Sequence, residues 1–340
     1  MLSPSKVQFG REGYYLDITA SGRDHADGLV EDDGVWLSSG AAALGLAGVA
    51  SPAGVRAVLA GADPATGEAL LRLPDRRTNA AFDLTFSAPK TVSILHALGK
   101  LAGCPEVTTA VRQAHESAVR ASLAYLETSA ARCVVAGPHG REAVDAAGLL
   151  AVAFVHRSSR APDPHLHTHV LVANLVVPAT GGPARPLDAR PLFAELKPAG
   201  ALYETHLRFE LTVRLGVEWD FKDRVWADLK GLPDELVAKY SRRSTEIRLE
   251  AERQGATGRR AIQLIADQTR PPKDTSVTQE EIEAAWDVVR LQTGLSNGRL
   301  LSVIKRVDGA EQLALESAGW QERLLDAVGW RTPAGSFAKR

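Results

Sequence analysis

Four histidines fall within fourteen residues, His156, His165, His167 and His169, and this stretch is the part of the chain best equipped for chemistry. On a strand, residues two apart project to one face about 6 to 7 Å from each other, so His167 and His169 can converge on one ion. His165 and His169 would lie about 13 Å apart on an extended strand, too far for both to reach an ion at about 2.0 to 2.1 Å per bond. His156 ends the preceding apolar run, and the turn Arg157 to Pro164 returns the chain to its neighbourhood. The expected ligand set is therefore His156, His167 and His169, with a position left open for substrate as catalytic metal sites require. Any one of these histidines alone would be read as an ordinary polar residue at a strand end, but their number and shared face outweigh that reading. His25, His96, His115, His139 and His206 are scattered and read as surface or core residues.

These side chains need strands and helices to hold them. Ala81 to Phe86 alternates Phe82, Leu84 and Phe86 with Asp83 and Thr85, the period of a half-buried strand, so Asp83 faces away from the aromatic side. Ser87-Ala88-Pro89 reads as a cap and first-turn proline starting a helix to about Gly99. Val111 to Glu127 is a second helix by spacing, and Tyr203, Leu207, Leu211 and Leu215 mark a third. Arg132 to Ala136, Leu149 to His156 and Thr168 to Val177 read as strands, the last two pairing as an antiparallel hairpin. Thr278-Gln279-Glu280-Glu281 fits a capping box, which predicts a helix from about residue 279 after the linker-like Pro271-Pro272-Lys273-Asp274.

Composition narrows the class. With 340 residues and 45% hydrophobic content the chain can bury a large core. It has no apolar run of about 18 residues and no N-terminal signal pattern, so a cytoplasmic protein without a membrane segment is expected. Cys104 and Cys133 form no metal-type pair and read as small buried hydrophobes. A formal net charge of −1 makes no global case for nucleic acid. One local cluster does: Lys239, Arg242, Arg243, Arg248, Arg253, Arg259 and Arg260 stand against Glu246, Glu250 and Glu252. It reads equally as a phosphate-binding face or as a solvated helix laced with Arg/Glu pairs.

Two blocks carry a family resemblance. Phe82-Asp83-Leu84-Thr85-Phe86-Ser87-Ala88-Pro89-Lys90, followed by Thr91-Val92-Ser93, is the first. His156-Arg157-Ser158-Ser159-Arg160 leading to Asp163-Pro164-His165-Leu166-His167-Thr168-His169 is the second. Together they resemble the TrwC/TraI-type relaxases, the MobF group of HUH endonucleases, and the likeness extends over most of the chain except the terminal 70 residues. It implies an α+β fold, a two-layer α/β sandwich with a central antiparallel sheet and C-terminal helical fingers over DNA. It implies a catalytic palm over residues 1–238, a basic finger segment over 239–270 and a small helical unit over 275–340.

The function implied is metal-dependent nicking of one DNA strand at a transfer origin, with a 5′-phosphotyrosine intermediate and reversible strand transfer. The family's three metal histidines match His156, His167 and His169. Its nucleophile is the first tyrosine of an N-terminal pair, here Tyr14 and Tyr15, with Tyr14 attacking. Asp83 is the expected proton acceptor or the group orienting a ligand histidine, and Arg160 is expected to steady the phosphate. Lys90, Arg242, Arg243, Arg248, Arg259 and Arg260 are the expected DNA contacts. The cofactor is a divalent ion, Mg2+ or Mn2+ in the cell, with Zn2+ or Ni2+ as alternatives. The partners are single-stranded DNA with a hairpin at the transfer origin and other relaxosome and conjugation proteins, bound by a monomer. Members often carry a second tyrosine pair further on, where this chain has Asp24-His25-Ala26-Asp27. Rival readings are a metal-dependent phosphoester hydrolase using water, a catalytically silent single-stranded DNA-binding module, and a relative of rolling-circle initiators.

Overall fold

The structure is a computed structural model that describes residues 1–11, 13, 15, 34–71, 77–159, 161–270 and 277–305, the Arg259 side chain excepted. Its centre is a six-stranded sheet built from β1 (Leu2–Val7), β2 (Val35–Trp36), β3 (Gly48–Val49), β4 (Ala81–Ser87), β7 (Ala151–Ser158) and β8 (Pro164–Ala173). The order is β1-β4-β8-β7-β2-β3, and every neighbouring pair is antiparallel. The strands β5 (Arg132–Gly137) and β6 (Gly140–Asp145) form a separate hairpin, as do β9 (Trp219–Phe221) and β10 (Ala227–Leu229). Short helices α1 (Ser39–Ala43) and α2 (Pro52–Ala60) precede β4.

Alternation along the strands sorts their side chains to two faces. Phe82, Leu84 and Phe86 of β4 join Leu166, Val170 and Val172 of β8 in the main core. That core is closed by α3 (Lys90–Leu101), α4 (Pro105–Ala130) and α5 (Ala189–Leu215), which supply Ile94, Leu98, Val111, Leu123, Tyr203, Leu207 and Leu211. The opposite face carries Asp83, Thr85, His167 and His169, with Tyr15, Val152, Phe154, Leu171 and the α2 residues Val55 and Val58 packed around them. One face is thus a helix-covered core and the other a polar site set in an apolar rim.

The sequence expectations need two adjustments. The helix α3 begins at Lys90 with Pro89 itself as N-cap and no side-chain cap. The strand β8 runs from Pro164 to Ala173, so it starts and stops earlier than the expected 168–177. Its first residues pair with β7 despite the prolines, while Leu175 and Val176 are apolar because they are buried beyond the sheet, a distinction that periodicity cannot make. The expected linker Pro271 to Asp274 lies outside the described residues.

After α5 come α6 (Asp234–Lys239), α7 (Arg242–Arg253), α8 (Arg259–Gln268), α9 (Gln279–Gln292) and α10 (Asn297–Leu301). The helix α9 starts on the expected capping box: Glu281 N–H donates to Thr278 Oγ1, and Thr278 N–H donates to the Glu281 carboxylate. Trp286, Leu295, Leu300 and Val303 belong to the main core. Gly216 ends α5 at φ 62°, and a Cβ there would stand 1.8 Å from the Lys305 carbonyl oxygen. A glycine is required both by the left-handed backbone and by that approach. No helix among the described residues is long and apolar enough to cross a membrane.

Candidate active site

The register of three strands brings the expected ligands together. His156 of β7 stands opposite His167 of β8, and His169 lies between Phe154 of β7 and Thr85 of β4. The three rings form a triangle whose sides, centroid to centroid, are all 5.1 Å. A tetrahedral ion about 2.0 to 2.1 Å from three imidazole nitrogens places the ring centres roughly 5 Å apart, so the spacing suits one ion. As the side chains stand, no group of three or more His, Cys, Asp or Glu among the described residues is oriented to hold a metal ion. Turning a ring about its side-chain torsions redirects a nitrogen without moving the backbone, so the strand register still allows the three rings to face one ion. All three are buried, at 4%, 9% and 9% exposure. Burial pushes His167 well below the ordinary histidine value, which keeps it a neutral donor. His165 stacks on His167 at 4.5 Å, outside the triangle, and burial with the nearby Lys90 lowers it to about 3.

A carboxylate organises one edge of the triangle. Asp83, 3% exposed, lies 2.9 and 3.1 Å from His169 Nδ1 through its two oxygens. It also accepts from Tyr15 Oη at 2.8 Å and from Thr85 Oγ1 at 3.2 Å. An ionised carboxylate only accepts, so His169 carries its proton on Nδ1 and presents the Nε2 lone pair, the tautomer a metal needs. His167 Nδ1 is likewise engaged, 2.9 Å from the His165 carbonyl. The Tyr15 ring stands edge-on to His169, with centroids 5.4 Å apart, and is 7% exposed. Thr85 escaped the sequence reading, although its position two residues from Asp83 on the same strand face was a signal for it.

Behind the sheet lies a second polar set that sequence reasoning treated as scattered residues. His115 of α4 contacts Tyr203 Oη through Nδ1 and Thr168 Oγ1 through Nε2, each at 2.8 Å. Thr168 sits between His167 and His169 but points to the helix layer. Complete burial lowers His115 to about 3, so it is neutral.

Other expected site residues are spread more widely. Tyr14 and Arg160 lie outside the described residues, as does the Asp24 to Asp27 stretch. Lys90 turns its ammonium to the Pro164 carbonyl at 2.7 Å, and burial lowers its pKa. Arg242 is bound to Asp163 and to the Ala161 carbonyl. Arg243 reaches the Ala266 carbonyl and Thr269 across the α7–α8 pair. Arg248 pairs with Glu252 at 3.8 Å and stays 66% exposed, while Arg260 is exposed at the start of α8.

Comparison with known proteins gives concordant likenesses. The TrwC relaxase family model matches residues 10–290. The multifunctional conjugation protein TraI of Escherichia coli is 34% identical over 230 residues, and that of strain K12 is 33% identical over 226. Each match takes in 63% of the chain but spans only 12% of the relative's length. Among solved structures, the conjugative relaxase TrwC in complex with oriT DNA, copper-bound, superposes with a TM-score of 0.76 at 26% identity, covering 87% of this chain and 100% of that one. TrwC complexed with a 27-mer DNA comprising the recognition hairpin and the cleavage site gives 0.74 at the same identity and coverage.

Proposed function

The chain belongs to the TrwC relaxase family, and we propose that it nicks one strand of single-stranded DNA at a transfer origin by transesterification, holding the 5′ phosphate on a tyrosine. The observation that carries this reading is the array in which the Tyr15 phenol and His169 share one buried carboxylate beside the three imidazoles. A tyrosine hydroxyl has a pKa of about 10, so its attack on phosphorus near neutral pH needs a proton acceptor and relief of charge on the phosphate. Asp83 is the acceptor in this reading. The phenol proton passes to Asp83, the phenol oxygen bonds to phosphorus, the bond to the 3′ oxygen breaks, and that oxygen takes a proton from Asp83 or from water to leave as a hydroxyl. A diester replaces a diester, so the 3′ hydroxyl can reverse the step.

His156, His167 and His169 would hold a divalent ion, Mg2+ or Mn2+ in the cell, although an all-imidazole set also suits Zn2+ or Ni2+. When bound, the ion supplies positive charge against the scissile phosphate. Asp83 keeps His169 in its donor tautomer, and the apolar rim of Phe154 and Leu171 limits water around the phenol. Following the resemblance, Tyr14 attacks and Tyr15 anchors the N-terminal segment on Asp83, while Arg160 steadies the phosphate. The 2.8 Å bond from Tyr15 favours a second assignment within the same chemistry, in which Tyr15 attacks. Residues 1–238 form the catalytic palm, and 239–270 face the DNA, with Arg248 and Arg260 toward phosphate; the side chain of Arg259, also expected there, lies outside the described residues. Residues 275–340 are the small helical unit that follows. Relaxosome partners and a monomeric state complete the proposal.

The test incubates the chain with an oligonucleotide carrying the transfer-origin cleavage site, then denatures it. A denaturant-resistant protein–DNA adduct that vanishes on chelation and returns with Mn2+ is expected. Cleavage without any adduct would replace this reading with a water-using hydrolase, and tight binding without cleavage would leave a silent DNA-binding module.

A further inference from the structure

The turn that closes the histidine hairpin is gripped from outside by three helices. Within the turn, Ser159 N–H donates to the Asp163 carbonyl at 2.9 Å. Three more carbonyls of the turn are taken by remote side chains. Arg242 Nη2 of α7 donates to Ala161 O at 2.6 Å, Trp286 Nε1 of α9 to Pro162 O at 2.8 Å, and Lys90 Nζ of α3 to Pro164 O at 2.7 Å. Arg242 Nε also bonds Asp163 Oδ1 at 2.7 Å. Asp163 is 1% exposed, whereas the Arg242 side chain is 58% exposed. A largely solvent-facing arginine is thus folded back to neutralise a buried carboxylate, which would be strongly unfavourable without it. Tyr240 donates to the Trp286 carbonyl and ties α9 to the residue just after α6.

The ladder between β7 and β8 is broken where this grip applies. The register shifts between His156 and Ser158, immediately beside the pair His156 and His167. A bulge leaves local pairing under-determined, so the register that sets His156 against His167 needs a second constraint. The pinned carbonyls supply it one to four residues before His165.

We propose that Arg242 and Trp286 are positioning residues for the three-histidine site, pinning the hairpin tip so that the imidazoles keep their spacing. This assigns Arg242 inward, instead of to DNA phosphate, and makes α9 part of the site's assembly. The inference rests on the reading that His156, His167 and His169 hold a metal.

The test uses the full chain with Trp286→Phe, which removes the indole N–H but keeps an aromatic ring, and Arg242→Gln. Co2+ titration followed by visible absorption reads metal affinity. Hydrogen exchange of residues 156–165 in ion-free protein reads the tip itself, and thermal melting reads global stability. Each variant should bind Co2+ about tenfold more weakly, within the range for residues that orient metal ligands. Tip exchange should quicken, and melting should shift by only a few degrees. Arg242→Lys keeps the charge beside Asp163 but lacks the fork to Ala161, so it should recover part of the affinity. If Arg242→Gln melts below the assay temperature, Trp286→Phe and Arg242→Lys must still show the loss. Co2+ affinity within twofold of wild type in these variants overturns the proposal. A wild-type chain that binds no Co2+ overturns the metal reading beneath it, a distinct outcome.

Discussion

Replacing Asp83 with Asn keeps the shape of the side chain and removes half of its accepting capacity. The carboxylate now takes three donors: Tyr15 Oη at 2.8 Å, His169 Nδ1 at 2.9 Å and Thr85 Oγ1 at 3.2 Å. A carboxamide offers one accepting oxygen and an NH2 that must face a former donor. At 3% exposure water cannot repair the mismatch. A hydrogen bond to a charged group contributes about 1.5 to 3 kcal/mol, and one such bond is lost. If His169 loses it, nothing fixes the proton on Nδ1, and metal affinity falls about 10- to 100-fold, which is the same energy expressed as binding. Calorimetric titration of Asp83→Asn with Mn2+ or Zn2+ measures this directly. A double-mutant cycle with Tyr15→Phe then apportions the loss, since the two substitutions should be non-additive where they share the bond. Metal affinity within twofold of wild type, with additive effects, would refute the claim that Asp83 orients the site.

Other expectations follow from groups elsewhere in the fold. His115 is held near pKa 3 in the folded chain, against about 6.5 when unfolded. As pH falls below about 6.5 the unfolded chain binds a proton the folded one refuses, so stability is lost on acidification, with a slope of about 1.4 kcal/mol per pH unit. His115→Gln should flatten the denaturation-derived stability curve by about that slope between roughly pH 6 and 4, and an unchanged curve would contradict it. Gly216→Ala should destabilise the chain by well over about 1 kcal/mol, combining a left-handed backbone with a clash against Lys305, as urea denaturation would read. Replacing exposed Arg248 and Arg260 together should reduce the salt slope of single-stranded DNA binding by about 1.4, at about 0.7 per phosphate contact, and an unaltered slope would remove them from the interface.

What could be read from the sequence was whatever local spacing encodes. The alternation around Asp83 placed it opposite Phe82, the spacing of His167 and His169 placed them on one face, and Thr278 with Glu281 announced a helix start. Each rests on neighbours within a few residues. The β8 boundaries were displaced because the strand begins in a proline-bearing stretch stabilised by pairing to β7 and by Lys90, neither of which leaves a local trace. The inward turn of Arg243 depends on Ala266 and Thr269 in the next helix, and the Trp286 bond to Pro162 crosses 124 residues. In the charged helices, pairs such as Arg253 with Glu250 and Arg248 with Glu252 were legible in spacing, but spacing could not tell which arginines also face outward. The buried network of His115, Tyr203 and Thr168 joins three elements and has no signature along the chain.

The most direct test is to map the covalent bond. Peptide mass spectrometry of the adduct formed with the cleavage-site oligonucleotide should find a nucleotide phosphate on Tyr14 or Tyr15, with Tyr14→Phe abolishing it if the first tyrosine attacks and Tyr15→Phe if the second does. Cleavage that persists in the double Phe variant, or an adduct on any other residue, would contradict the account.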